Sequence, residues 1–134
     1  MAPSPSVVNS AGQLTAHAGD PHWLTFSRST LKALQALPFV EGGGPQHFGF
    51  STAQTALLCA SHNGEEAHVA NVTQMLEKSG LGYKALRCGC HVPGIFTNLD
   101  MAPPKDLVYD ERHNNCSGKH AGFLAYCVQH GLRL

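Results

Sequence analysis

Glycine and proline divide the apolar pattern of this chain into short segments, and this spacing constrains its fold more than any other feature. The longest segment runs from Glu65 to Ser79 with apolar residues on one face, and Gly80 follows it. These features predict a helix with a glycine stop. A second helix is expected from Ser29 until Pro38 interrupts it.

The other segments predict a short β structure ahead of several helices. Residues 7–8 and 14–16 flank a turn that ends in Gly12, which is typical of a β-hairpin. We also expect a disordered lead at 1–6, a strand-like piece at 23–26, a loop at 41–45, helices at 52–59 and 117–131, and a long loop with one helical turn at 92–113. The predicted class is α+β, in a single domain over residues 1–134.

The composition indicates a core-forming protein with an unusually uncharged surface. Of the 134 residues, 43% are hydrophobic and 13% are charged, and this charged share is about half the globular average. Much of the surface is therefore expected to lie against a partner or a further part of the chain. Lysine plus arginine and aspartate plus glutamate both number 9, so no basic patch indicates nucleic acid.

Segment lengths and cysteine usage indicate the cellular setting. No apolar run approaches the roughly 18 residues of a membrane span, and the first residues lack the pattern of a signal peptide. The 5 cysteines form an odd set, which argues against a disulfide framework. A cytoplasmic protein with free thiols is expected.

Ser29 and Lys32 lie three residues apart at the start of a predicted helix, so their side chains share a face. A desolvated lysine can act as general base for a serine hydroxyl, which then attacks a carbonyl carbon and forms an acyl-enzyme. Arg28 adds a positive charge that suits a substrate carboxylate. The motif alone is weak, because a capping serine and a solvated lysine give the same spacing.

Ser61 and Glu65 border a polar segment between two predicted helices. Ser61 can supply a second active hydroxyl, and Glu65 can bind an amino group. The alternative is ordinary helix capping, with Asn63 as the cap of the following helix. From spacing alone, capping is the more common explanation.

Cys116, Lys119 and His120 open the last predicted helix and share one face. Cysteine and histidine are common zinc ligands, whereas lysine must first lose its proton. A metal site needs three or four ligands, so this run cannot close one alone. The segment at 88–91 offers two more cysteines and a histidine, although its cysteines can equally be small buried hydrophobes.

Several motifs agree in order and spacing, and together they are specific. They are Gly19-Asp20-Pro21, Arg28-Ser29-x-x-Lys32-x-x-Gln35-Ala36-Leu37-Pro38, Cys59-Ala60-Ser61-His62-x-x-Glu65-x-x-His68, Arg87-Cys88-Gly89-x-His91 and Asn115-Cys116-Ser117-Gly118-Lys119-His120-Ala121-Gly122. From about residue 7 to residue 131, the chain resembles the asparaginase II family, the rhizobial-type or class 3 L-asparaginases.

The resemblance implies a fold similar to that of serine β-lactamases and glutaminases, here its N-terminal part, with a short β-hairpin followed by several helices. It implies hydrolysis of L-asparagine to L-aspartate and ammonia. By the same resemblance, Ser29 is the nucleophile, Lys32 is its base, and Ser61 belongs to a second serine–lysine pair.

The resemblance also implies zinc near the substrate, with Cys116 and Lys119 as two of its ligands. The expected substrate-binding residues are Arg28, Glu65 and His120. Family members are longer than this chain, and in them the third zinc ligand and the lysine that partners Ser61 lie beyond the point that corresponds to Leu134. We therefore expect a truncated fragment with little activity and low stability alone, and a homodimer if complete.

Two alternatives to asparagine hydrolysis stay open. One is a serine–lysine hydrolase that acts on another small amide or lactam. The other is a non-catalytic module that binds zinc or a protein partner. The 5 cysteines favour this alternative. Under each of these three hypotheses, we expect neither nucleic acid nor a membrane as a partner.

Overall fold

The structure, a computed structural model, describes residues 5–134 and has an antiparallel hairpin followed by helices. The strands are β1 (Ser6–Val8) and β2 (Leu14–His17). The helices are α1 (Lys32–Glu41), α2 (Gly44–His47), α3 (Thr52–Leu57), α4 (Glu66–Lys78), α5 (Gly94–Asn98) and α6 (Ser117–Gln129), with 3₁₀ turns at Arg28–Leu31, Tyr83–Ala85 and Glu111–His113. The class is α+β.

The predicted hairpin is present and is set by its turn. The side-chain oxygen of Asn9 accepts hydrogen bonds from the backbone N–H groups of Ala11 and Gln13, both at 3.0 Å. Gly12 closes the turn with a φ of 76°, which a residue with a side chain rarely adopts. The expected disordered lead spanned residues 1–6; its first four residues lie outside the described part, and Ser6 belongs to β1.

Two expectations about the next segment are wrong. The strand-like piece at 23–26 is irregular, because alternation alone does not make a strand without a ladder partner, and β1 pairs with β2. The helix expected from Ser29 does open there, as the 3₁₀ turn at Arg28–Leu31 that leads into α1. Its expected end at Pro38 is wrong, because α1 continues through Pro38 to Glu41. Pro38 has no N–H to donate to the carbonyl oxygen of Leu34. Both residues lie on the exposed side of α1, so water can bind that oxygen instead.

The later helices follow local signals in the sequence. Ser51 caps α3 in a reciprocal pair with Gln54, and Gly80 follows α4 with a φ of 73°. The loop expected at 41–45 is partly helical, because α2 begins with Gly44 and Pro45, and proline in a first turn loses no helical hydrogen bond. The long loop at 92–113 contains α5 and the last 3₁₀ turn.

The core lies where α4 and α6 pack together and α1 and α3 close over them. Its buried side chains are Ala36, Phe39, Leu57, Leu58, Val72, Met75, Leu76, Leu86, Ala121 and Ala125. No helix within residues 5–134 is long and apolar enough to cross a membrane.

Glycines on α6 allow its first turns to touch the end of α3. A Cβ on Gly118 would lie 2.7 Å from the carbonyl oxygen of Leu57, and one on Gly122 would lie 2.3 Å from a methyl group of Leu58. The missing side chains therefore set the distance between α6 and the segment that leads from α3 to Ser61.

We expect Gly118→Ala to lower the free energy of unfolding by about 1–3 kcal/mol, the usual cost of overpacking. The new methyl group would meet backbone, which cannot rotate away. Chemical denaturation measures the loss. Gly82→Ala is the control, because a Cβ there meets open space; equal losses in both variants would contradict the close approach of α6.

Candidate active site

Lys32 is the first residue of α1, and its side chain is almost fully buried, with an exposure of 2%. Its Nζ donates hydrogen bonds to the carbonyl oxygen of Ala60 at 2.8 Å and to Oγ of Ser61 at 2.6 Å. Both acceptors belong to the segment after α3. Lys32 thus joins the start of one helix to the end of another.

Ser61 connects Lys32 to Ser29. Its Oγ donates to Oγ of Ser29 at 3.2 Å, so the Lys32 side chain and two hydroxyls form one hydrogen-bonded chain. We expected Lys32 to reach Ser29 directly. Its hydrogen bonds go to Ala60 and Ser61 instead, and both bonds are partly buried, whereas Ser29 is exposed in the 3₁₀ turn. Within residues 5–134, the lysine that contacts Ser61 is Lys32.

This chain of groups can transfer a proton. The described ion pairs join Asp110 to Arg112 and His113, and Lys32 takes part in neither of them. In its amine form Lys32 can accept a proton from Ser61, which can in turn accept one from Ser29. The two serines and Lys32 therefore form a hydrogen-bonded chain along which a proton could pass once the two hydroxyls turn round.

His62 is a buried part of the site that the sequence reasoning missed. Its ring is 3% exposed; Nε2 lies 2.8 Å from Oγ of Ser117, and Nδ1 accepts from the backbone N–H of Gly64 at 3.1 Å. Ser117 donates its own proton to the carbonyl oxygen of Arg112 at 2.7 Å. Nε2 must therefore be the donor, and the ring is neutral. The sequence did contain one signal for its role, since His62 directly follows the candidate serine Ser61.

The surroundings of His62 favour the neutral ring. Burial lowers the pKa of His62 from 6.5 to about 4, and the nearby charges of His68 and Lys32 act in the same direction. The His68 ring stacks on it with a centroid distance of 5.0 Å. Protonation of His62 would also place a second proton against the N–H of Gly64.

The expected substrate-binding residues belong to three different elements: Arg28 to the first 3₁₀ turn, Glu65 to the start of α4 and His120 to α6. Arg28 opens the 3₁₀ turn that contains Ser29, is exposed, and has a φ of 49°. Glu65 is exposed at the N-cap of α4, where Nδ2 of Asn63 lies 3.5 Å from its carboxylate. Burial and the charges of Lys119 and Lys32 lower the pKa of His120.

The two expected zinc ligands face different neighbours. The backbone N–H of Cys116 donates to the side chain of Asn114 at 2.9 Å. Burial raises the pKa of the Cys88 thiol, and the proximity of Cys116 raises it further. The ammonium of Lys119 lies 5.7 Å from the ring centroid of Phe123.

The described residues do not fit a closed zinc site. The thiols of Cys88 and Cys90 donate to the carbonyl oxygens of Glu111 and Tyr109, both at 3.5 Å. Both hydrogen bonds would have to break before either sulfur could bind zinc as a thiolate. In the part of the chain that the structure covers, no three His, Cys, Asp or Glu side chains are grouped as a metal site.

Comparison with known proteins assigns the family. The family model described as L-asparaginase II matches residues 4–134. The chain belongs to the L-asparaginase II family. A search of curated proteins finds no significant match. Membership in the asparaginase II family indicates an asparaginase-like hydrolase, and thus a small-molecule substrate.

The neutral state of His62 makes the stability of the protein depend on pH. The unfolded chain takes up a proton near pH 6.5, whereas the folded ring does so only near pH 4. The neutral His62 ring therefore contributes fully to the free energy of unfolding above pH 6.5, and this contribution is lost as the pH falls towards 4. We expect a loss of up to about 3 kcal/mol in the free energy of unfolding, at roughly 1.4 kcal/mol for each pH unit.

Denaturation at a series of pH values measures this loss. His62→Gln is the matched variant, because an amide keeps a donor for Ser117 and does not titrate. Its stability should fall less between pH 6.5 and 4 than that of the wild-type chain. Parallel curves for the two proteins would show that His62 does not carry the dependence.

Proposed function

We propose that this chain hydrolyses L-asparagine to L-aspartate and ammonia, with the hydroxyl of Ser29 as nucleophile. The observation that carries the proposal is the hydrogen-bonded chain from Lys32 through Ser61 to Ser29 in a member of the L-asparaginase II family. It supplies a base two hydrogen bonds away from an exposed hydroxyl. We also propose that the helices belong to a fold like that of serine β-lactamases and glutaminases.

The first half-reaction transfers the acyl group to the enzyme. Lys32, as the amine, takes the proton of Ser61, and Ser61 takes that of Ser29. Oγ of Ser29 attacks the side-chain amide carbon of asparagine and forms a tetrahedral intermediate. The carbon–nitrogen bond then breaks as the leaving nitrogen receives the proton from Lys32 through Ser61. Ammonia leaves, and a β-aspartyl ester remains on Ser29.

The second half-reaction uses the same groups with water. The relay removes a proton from water, the hydroxide attacks the ester carbon, and the bond to Ser29 breaks. The proton returns to Oγ of Ser29, and aspartate leaves. Nothing is consumed except asparagine and water, and Lys32 returns to its starting form.

The charges of two expected substrate-binding residues suit a small zwitterion. Arg28 adjoins Ser29 in sequence and offers a cation for the α-carboxylate of asparagine. Glu65 offers a carboxylate for the α-ammonium group. The half-buried His120, whose pKa the charge of Lys32 helps to lower, is the third proposed substrate contact.

We expect Ser29→Ala to abolish both ammonia release and the β-aspartyl ester, because the attacking oxygen is gone. Ser61→Ala and Lys32→Met should lower kcat by roughly 10²–10⁴-fold, the usual contribution of general base catalysis. A coupled ammonia assay gives the rates, and intact-mass spectrometry followed by peptide mapping locates the ester. Ser10→Ala, in the exposed hairpin turn, is the control.

The location of the ester decides between the two serines. Ser61 is the second candidate nucleophile, because it contacts Lys32 directly at 2.6 Å. An ester on Ser61, together with a wild-type rate in Ser29→Ala, would exchange their roles. A panel of glutamine, small amides and lactams tests the substrate, and a chain that neither forms an ester nor releases ammonia would contradict the proposed hydrolysis.

The remaining expectations stay predictions with tests of their own. Zinc binding through Cys116 and Lys119 can be tested by metal analysis of the purified protein. Light scattering tests the homodimer, and fractionation tests the cytoplasmic location. The expected low activity of the chain alone is tested by the wild-type rate in the same ammonia assay.

A further inference from the structure

The segment that carries Ser61 is held from both sides. On one side, Lys32 binds the carbonyl oxygen of Ala60, the residue before Ser61. On the other side, His62 is the residue after it, and its backbone N–H donates to the carbonyl oxygen of Asn115 at 3.1 Å. Ser61 lies between two fixed neighbours.

The ring of His62 connects this segment to α6. Nε2–H donates to Oγ of Ser117, the first residue of α6, at 2.8 Å, and Ser117 is fully buried. Ser117 passes the connection on by donating to the carbonyl oxygen of Arg112. A shift of Ser61 would therefore disturb the buried hydrogen bonds that join His62 to Ser117 and Ser117 to Arg112.

We propose that His62 is a positioning residue, whose hydrogen bond to Ser117 holds the hydroxyl of Ser61 between Lys32 and Ser29. The inference rests on the proposed function, since it assigns His62 to the relay of that reaction. The hydrogen bonds of the His62 ring go to Ser117 and Gly64, and none among the described residues joins it to Lys32 or Ser29.

A neutral imidazole suits this position. The ring must donate at Nε2 to Ser117 and accept at Nδ1 from Gly64 within one rigid plane. The pKa of about 4 keeps it neutral at physiological pH. The groups that act on it are His68, Lys32, His113 and His91, and each of them disfavours a charged ring.

Two substitutions separate the two ring nitrogens. His62→Gln places an amide N–H near the position of Nε2 and can keep the bond to Ser117. His62→Asn is one methylene shorter; it can still accept from Gly64 and cannot reach Ser117. Ser117→Ala removes the partner from the other side, and the exposed His22 provides a control, His22→Asn.

We expect His62→Asn and Ser117→Ala each to lower kcat by about tenfold or more, with KM changed less than about twofold, because ground-state binding is not the interaction lost. The double variant should be no worse than the more damaged single variant, as for residues that act through one bond. His62→Gln should stay within about threefold of the wild-type kcat. Additive losses, or a His62→Gln variant as slow as His62→Asn, would overturn the proposal.

A structural readout keeps the inference separate from the proposed reaction. In crystal structures of the variants, we expect the Lys32 Nζ–Ser61 Oγ contact, 2.6 Å here, to open beyond hydrogen-bonding distance in His62→Asn and to persist in His62→Gln. An unchanged contact in His62→Asn would overturn the positioning role whatever the activity. A wild-type chain that hydrolyses nothing, with the contact opened in His62→Asn, would reject the reaction and support the positioning.

Discussion

The rest of the site depends on the burial of one lysine head between two helices. An ammonium or amine that leaves water must find acceptors or donors in the protein, or its burial costs several kcal/mol. Lys32 finds them in the carbonyl oxygen of Ala60 and the hydroxyl of Ser61. Because Lys32 begins α1 and Ala60 follows α3, this requirement fixes how the two helices approach each other.

A second constraint acts on the same segment from the side of α6. Gly118 brings that helix into contact with the backbone of Leu57, so its first turn lies beside the segment after α3. The carbonyl oxygen of Asn115 and the hydroxyl of Ser117 then become available to His62. Packing of small residues and polar contacts thus work together, and the position of one serine depends on three helices.

The elements that could be predicted from sequence are those with a local cause. The Asn9 turn, the Ser51 cap and the Gly80 stop each involve groups a few residues apart, and all three are present. The prediction that Pro38 ends the helix was wrong because a proline is tolerated where it lies on the solvent side, and the sequence alone did not show which side that is. The alternation at 23–26 misled because a strand exists only with a partner.

The candidate site was predictable in its residues more than in its contacts. Ser29, Lys32 and Ser61 were recognised from their motifs, and the structure brings them together. Which serine meets Lys32 depends on tertiary packing across 29 positions, and no spacing within one helix contains that information. The ring of His62 binds Ser117 across 55 positions, so its contact was equally invisible.

The exposure of the turn at Arg28 has a consequence for how substrate binds. Arg28 and Ser29 lie in an exposed turn that follows an irregular segment, whereas Lys32 is buried at the start of α1. In the proposed reaction, the base therefore lies on the buried side of the site and the attacking oxygen on its exposed side. Asparagine can then reach Ser29 without displacing the packed side chains around Lys32.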